Sequence, residues 1–289
     1  QTTCLLVNLS NLSTCPLVNL LTNKFIMTDK IQTSLRDSAA MRWTALLLLS
    51  LAMFCAYIFV DILSPIKELM QEQRGWDSTA FGTMQGSETF LNVFVFFLIF
   101  AGIILDKMGV RFTAILSGAV MLAGALIKYY AISDSFAGSA LDVWFTNNLN
   151  HIPVFEQLGV SPFYQGMPAS AKVAACGFMI FGCGVEMAGI TVSRGIVKWF
   201  KGREMALAMG SEMALARLGV ATCMIFSPFF AKLGGDINVS RSVAFGVVLI
   251  CIALMMFIVY FFMDKKLDSQ TGEAEEKEDP FKISDLGKI

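Results

Sequence analysis

Long apolar runs separated by short charged segments dominate the chain. Six runs have the roughly 20 residues that an α-helix needs to cross a bilayer. They lie near residues 43–64, 80–105, 112–132, 173–197, 205–230 and 241–263. Each run is bounded by charged residues, as the first is by Arg42 and Lys67. The pattern predicts an all-α membrane protein with a bundle of six transmembrane helices over residues 43–263.

The composition agrees with this prediction. Of the 289 residues, 55% are hydrophobic and only 16% are charged, whereas about a quarter of a soluble domain is charged. The net charge of −1 gives no reason to expect a nucleic-acid partner. The only histidine, His151, falls in a loop, and no two cysteines have C-x-x-C spacing. The sequence therefore predicts no metal site and no cofactor.

The distribution of basic residues predicts the orientation. The N-terminal segment, residues 106–111, residues 198–203 and the tail after residue 263 carry 14 of the 22 lysines and arginines. The opposite side carries Lys67, Arg74, Lys128, Lys172, Lys232 and Arg241. By the positive-inside rule, both termini are expected on the cytoplasmic side of a cell (inner) membrane.

The segments outside the bundle have their own signatures. Residues 1–26 lack the basic start of a signal peptide and are expected to be upstream read-through, which makes 27–42 the polar cytoplasmic N-terminus. Residues 264–289 are expected to be a charged cytoplasmic linker without packing potential, at which the chain is cut. The long outer segment 133–171 is expected to be an ordered spacer over the helix ends, or else a cap on the outer mouth.

Two opposite charges lie at mid-depth in consecutive spans. At a rise of ~1.5 Å per residue, Glu186 lies ~21 Å from Lys172 and ~18 Å from Lys198. By the same measure, Arg217 lies ~20 Å from Glu204. Charges at this depth pair with each other or line a cavity. The sequence leaves open an ion pair that locks two helices and a substrate or proton site.

Other polar positions inside the spans point to the same region. Glu88 is expected to line the same cavity, with polar residues around it, whereas Glu212 is expected to be a lesser contact nearer the cytoplasm. Small residues in the fourth and fifth spans predict closely packed helices. They are Gly177, Gly182, Gly184, Ala188, Gly189, Ala206, Gly210 and Ala214.

The stretch GIILDKMGVRF between the second and third spans resembles the loop signature of the major facilitator superfamily. The matching positions are Gly102, Asp106, Lys107, Gly109 and Arg111. Gly102 is expected to allow close helix contact, Gly109 to permit a tight turn, and Asp106 to bind helix ends or cations. Val110 departs from the signature, because a second basic residue is common there.

This resemblance implies the N-terminal half of a twelve-helix major facilitator fold, whose partner is its own missing C-terminal six-helix half. It also implies that Asp106 meets Arg194 of the fourth span as a gating latch. The alternative is that Arg194 extends to the lipid headgroups.

The stretch GVEMAGITVSRGIVKWFKGREMALAMGSEMALARLG is similar to the superfamily branch that contains the lysosomal dipeptide uniporter. The resemblance implies that Glu186 binds the ammonium end and Arg217 the carboxylate end of a dipeptide. The first span, FVDILSP, and the long outer loop depart from that branch. The short N-terminus and the absence of a lysosomal sorting signal indicate a bacterial relative.

These observations predict a symporter or uniporter for dipeptides or similar zwitterions, not an enzyme. An intramembrane serine protease would need a histidine base within a span, and no span contains one. A receptor or scaffold that kept the fold stays open. Within transport, the alternative is a proton-coupled transporter of small organic or inorganic anions, with Arg217 as anchor and Glu186 as proton carrier.

Overall fold

The helices were located in a computed structural model that describes residues 35–148, 164 and 166–271. The α-helices are α1 Ala39–Val60, α2 Lys67–Arg74, α3 Ser78–Phe94, α4 Phe97–Ile132, α5 Ala140–Asn148, α6 Ala169–Trp199, α7 Met205–Ala231 and α8 Val239–Thr271. Single 3-10 turns, Leu35–Asp37 and Ser64–Ile66, precede α1 and α2. The all-α prediction is confirmed for this part of the chain. The predicted read-through segment 1–26 and His151 lie outside the described residues.

Five helical stretches in the described residues are long and apolar enough to cross a membrane. They are Ala39–Arg74, Phe97–Ile132, Ala169–Trp199, Met205–Ala231 and Val239–Gln270. The predicted spans 173–197, 205–230 and 241–263 lie within the last three. The chain is therefore a multi-pass membrane protein.

The second predicted span, 80–105, differs from the expectation. Helix α3 ends at Phe94, and α4 begins at Phe97 after Phe96 adopts a φ of 54°. That left-handed conformation costs a non-glycine residue roughly 1–2 kcal/mol, and it interrupts the span. Helix α4 then turns at Gly109, with φ 79° and ψ 165°, which divides it into segments 97–108 and 110–132. The turn expected at Gly109 is present, while the count of six crossings stays a prediction.

Helix α6 organises one side of the bundle, because it packs along both α4 and α3, while α1 packs against α7 and α8. Glycines permit the close approach. A methyl group at Gly177 would lie 2.7 Å from the backbone N of Lys128, and one at Gly182 would lie 2.1 Å from the backbone O of Glu88. The predicted close packing is thus seen at these glycines. It is not seen at Gly189, where a methyl group would meet nothing within 4 Å.

Alanine at Gly182 should destabilise the bundle, because its Cβ would collide with the backbone of α3 at Glu88. Overpacking of this kind costs roughly 1–3 kcal/mol, which corresponds to a Tm about 3–10 °C lower. Gly189→Ala, on the same helix but facing open space, is the matched control and should leave the Tm unchanged or slightly higher. Thermal unfolding in detergent measures both variants. Equal Tm values for the two would contradict the packing described here.

The helical bundle includes residues at both ends that were predicted to lie outside it. Helix α8 continues through Thr271, so the predicted linker 264–289 begins inside a helix. Leu267 is buried, and Gln270 accepts a hydrogen bond from the backbone N of Leu35 at 3.1 Å. Helix α1 likewise begins at Ala39, within the predicted N-terminal segment 27–42. Residues 272–289 lie outside the described part.

The described part of segment 133–171, which was expected to be a spacer over the helix ends, contributes two side chains that bind residues at the end of α2 and the start of α3. Tyr164 donates a hydrogen bond to the carboxylate of Asp77 at 2.8 Å, and Arg74 pairs with Asp134. Hydrogen bonds from the backbone N of Ala80 and then from Tyr164 lower the pKa of Asp77. Hydrogen bonds from Arg74 and from a neighbouring asparagine lower the pKa of Asp134. Both carboxylates therefore act as charged acceptors that fasten the loops.

Candidate functional site

The loop motif lies at one end of the bundle, here called the Asp106 end. Arg194 Nη1 donates to Asp106 Oδ1 at 2.7 Å, so the expected contact between α4 and α6 is present. Lys107 is exposed. The close helix contact expected at Gly102 is not seen among the described residues, because a methyl group there would meet nothing within 4 Å. The motif therefore joins α4 to α6 through its carboxylate and not through its first glycine.

Arg111, the last residue of the motif, takes part in a second group at the same end. It lies 3.2 Å from Asp268 and 3.9 Å from Asp264 of α8. Asp264 is fully buried and accepts hydrogen bonds from Lys198 Nζ at 2.6 Å and from Trp199 Nε1 at 3.0 Å. The sequence analysis missed this group, because it assigned Asp264 and Asp268 to the charged linker 264–289. The signal was present in the four-residue spacing of the two aspartates, which places them on one helix face.

A second group of charges surrounds Tyr57 of α1. The guanidinium carbon of Arg217 lies 5.6 Å from the centre of the Tyr57 ring, within the range of a cation–π contact. Tyr57 also lies within electrostatic range of Glu88, Glu186 and Glu212. We call these five residues the central charged cluster. They come from α1, α3, α6 and α7, so the cluster joins four helices.

Glu186 and Arg217 do not contact each other. The ion pairs found within 35–148 and 166–271 do not include these two residues. Arg217 is exposed and Glu186 is half-buried. A pair that locked two helices would hold its charges in contact. The geometry therefore favours two separated charges with Tyr57 nearby.

The carboxylates of the cluster differ from the expectation in one respect. Glu212 was expected to be a lesser contact, but its side chain is buried and lies within electrostatic range of Tyr57. Glu88 is half-buried, and its electrostatic neighbours include Glu186 and Asp61. The structure thus brings together all three predicted substrate residues and adds Tyr57 and Glu212.

The environment of Lys128 differs from the one that the sequence predicted. It was counted with the cations of the outer side, yet it is fully buried inside the bundle. Its Nζ lies 3.4 Å from the centre of the Phe178 ring and 5.1 Å from that of Phe59. Within the part of the chain that the structure describes, this Nζ has no hydrogen-bond partner. The spacing contained a signal, because Lys128 follows Gly124 by four residues and so shares the helix face that packs on α6.

Comparison with known proteins gives one match. The sequence model of the Major Facilitator Superfamily matches residues 49–288, which is more than half of the chain. No curated protein and no solved structure matches the chain. The matched range contains the central charged cluster and both groups at the Asp106 end.

Proposed function

The chain belongs to the Major Facilitator Superfamily, and we propose that it moves small zwitterions, dipeptides above all, by alternating access. Membership of this family makes the chain a membrane transporter of small solutes. The observation that carries the substrate proposal is the arrangement of Glu186 and Arg217. They are opposite charges at mid-depth on different helices, both within electrostatic range of Tyr57 and not paired with each other.

A zwitterion suits these two charges. A guanidinium binds a carboxylate through two parallel hydrogen bonds, and a carboxylate accepts hydrogen bonds from an ammonium group. A ligand with both termini charged would satisfy Arg217 and Glu186 at once. Residues 184–219 are similar to the branch of the superfamily that contains the lysosomal dipeptide uniporter. This similarity supports the same assignment.

We further propose that the described helices form the N-terminal half of a twelve-helix transporter, and that this half crosses the membrane six times. Both termini would lie on the cytoplasmic side of a cell (inner) membrane, and a second six-helix half would form the other wall of the path. The contact between Asp106 and Arg194 would hold the Asp106 ends of α4 and α6 together in one conformation and release them in the other.

A second candidate is a proton-coupled transporter of small organic or inorganic anions. The observation that favours it is that Arg217 is exposed, whereas Glu186 is half-buried and Glu212 is buried. The cation is therefore the most accessible of these three charges. In this case Arg217 alone would anchor the substrate, and Glu186 would carry the proton.

Competition experiments with end-modified dipeptides separate the two candidates. Uptake of a labelled dipeptide is measured in liposomes that contain the full-length protein. An N-acetylated dipeptide lacks the ammonium group, and a dipeptide amide lacks the carboxylate. We expect either change to weaken competition at least ~30-fold, because it leaves one protein charge without its partner. Equal competition by the acetylated dipeptide and by small organic acids would favour the anion transporter. No dipeptide uptake would refute the zwitterion proposal.

A further inference from the structure

A cavity of about 470 Å³ lies at the end of the bundle opposite Asp106. One wall is the corner between α1 and α2, with residues 64–69 and 72, and the other is the end of α7, with Pro228 and Lys232. Small-molecule sites in proteins have volumes of roughly 300–1,000 Å³. The cavity is thus large enough for a dipeptide, and its residues belong neither to the central charged cluster nor to the groups at the Asp106 end.

Charges of both signs line this cavity. Glu68 and Glu72 lie one turn apart on α2, and Lys232 follows the end of α7. All three residues are exposed, and no ion pair among the described residues includes any of them. Lys67 also lines the cavity, but its Nζ lies 5.8 Å from the centre of the Phe81 ring. Lys232 is therefore the cation that the second wall contributes opposite the two carboxylates.

Hydrogen bonds hold the two walls of the cavity together. Ser227, the residue before Pro228, is fully buried and donates a hydrogen bond to the backbone O of Ile62. Ser64 donates to Asp61 Oδ1 at 3.1 Å, which fastens the turn between α1 and α2. The charges therefore project from an ordered backbone. A site with preformed walls loses less conformational freedom when it binds a ligand.

The cavity lies in line with Arg217 along α7. Pro228 follows Arg217 by eleven residues, or about three turns, so both lie on one face of α7 and ~16 Å apart along its axis. Ala221 and Met224 lie between them on the same face, and both are exposed. The described helices thus leave this stripe uncovered between the cavity and the central charged cluster.

We propose that this cavity is an entry subsite, where the zwitterionic substrate binds before it reaches Arg217 and Glu186. The inference rests on the proposed transport function. Lys232 binds the carboxylate end of the substrate, and Glu68 and Glu72 bind its ammonium end. These are the same charge types as in the proposed central site, so one ligand is recognised twice along the path. The two carboxylates would repel a small anion, so the subsite does not suit the anion alternative.

A cysteine at Ser64 reports whether the cavity is occupied. Ser64 lines the cavity, and cysteine differs from serine only in its sulfur atom. The full-length Ser64→Cys protein is reconstituted in phosphatidylcholine liposomes and labelled with a charged, membrane-impermeant maleimide, with and without dialanine. Asp236→Cys, at an exposed position after α7 that does not line the cavity, is the matched control. Labelling of the parent gives the background from its native cysteines.

We expect saturating dialanine to slow the labelling of Ser64→Cys at least ~5-fold and to leave that of Asp236→Cys unchanged. This protection should persist when Arg217→Gln is added, because the subsite does not depend on the central site. Adding Lys232→Gln or Glu72→Gln should raise the dialanine concentration for half-protection about fivefold, since each change removes one exposed charge contact.

The opposite outcomes are distinct. Protection that disappears when Arg217→Gln is added would overturn the subsite and leave the central site standing, because labelling would then report substrate bound at Arg217. Unprotected Ser64→Cys in liposomes that take up dialanine would likewise overturn the subsite alone. Absence of both protection and uptake would refute the transport proposal as well. Labelling that slows without dialanine once phosphatidylethanolamine is added to the liposomes would assign the cavity to a lipid headgroup and overturn the proposal.

Discussion

Arg217→Gln is expected to reduce dipeptide uptake about 100-fold or more, because the substitution removes the positive charge and the bidentate hydrogen bonding to the substrate carboxylate. The side chain is exposed, and its guanidinium carbon lies 5.6 Å from the centre of the Tyr57 ring. No ion pair of the described residues includes it. Its loss should therefore leave the fold intact. Initial rates of uptake, normalised to the amount of reconstituted protein, measure the effect.

Three companion variants show whether the loss reflects substrate binding. Arg217→Lys keeps the charge without the planar guanidinium and should retain partial uptake. Glu186→Gln should also lose uptake, since it removes the opposite charge. Arg203→Gln changes an exposed arginine that pairs with Asp37 at the Asp106 end, and it should transport like the parent. Unimpaired uptake by Arg217→Gln would remove this residue from the substrate site.

Hydropathy correctly predicted the helices that are long and apolar enough to span a membrane. The predicted spans 173–197, 205–230 and 241–263 lie inside α6, α7 and α8. The break between Phe94 and Phe97 had no such signal, since the residues there are apolar and include neither glycine nor proline. Only the backbone conformation of Phe96 reveals it. Apolar content therefore predicts that a segment is buried in the membrane, but not that its helix is continuous.

The candidate site was predictable to the extent that its charges lie at mid-depth. Glu186 and Arg217 stood out because a charge far from both ends of a span has no headgroup within reach. Lys128 and Asp264 lie near span ends, where a long side chain can extend to the interface or fold into the bundle. Hydropathy cannot decide between these directions, because the choice depends on which helix face is packed. Tyr57 carried no signal at all, since a tyrosine in an apolar helix is unremarkable in a sequence.

Asp264→Asn should be the most destabilising conservative change at the Asp106 end. The carboxylate is fully buried and accepts hydrogen bonds from Lys198, Trp199 and Tyr260, the last at 3.3 Å. Asparagine has nearly the same shape but carries no charge to oppose Lys198 and Arg111. Removing one partner of a buried ion pair costs roughly 3–5 kcal/mol. The two cations are 22% and 27% exposed, so water offsets part of this loss, and about 2–3 kcal/mol is expected.

Thermal unfolding in detergent should then show a Tm about 5 °C lower or more. Asp268→Asn is the matched control, because it removes a carboxylate that binds the same cations from the rim, with 12% of its side chain exposed. Its effect should be smaller. A double-mutant cycle with Lys198→Met isolates the pair, and a coupling of roughly 0.5–3 kcal/mol is expected for residues in direct contact. Additive losses, or an Asp264→Asn protein as stable as the parent, would mean that the Asp264 carboxylate does not hold α8 at this end. The expected coupling would instead show that the buried carboxylate helps to fix α8 to α6 beyond the apolar span.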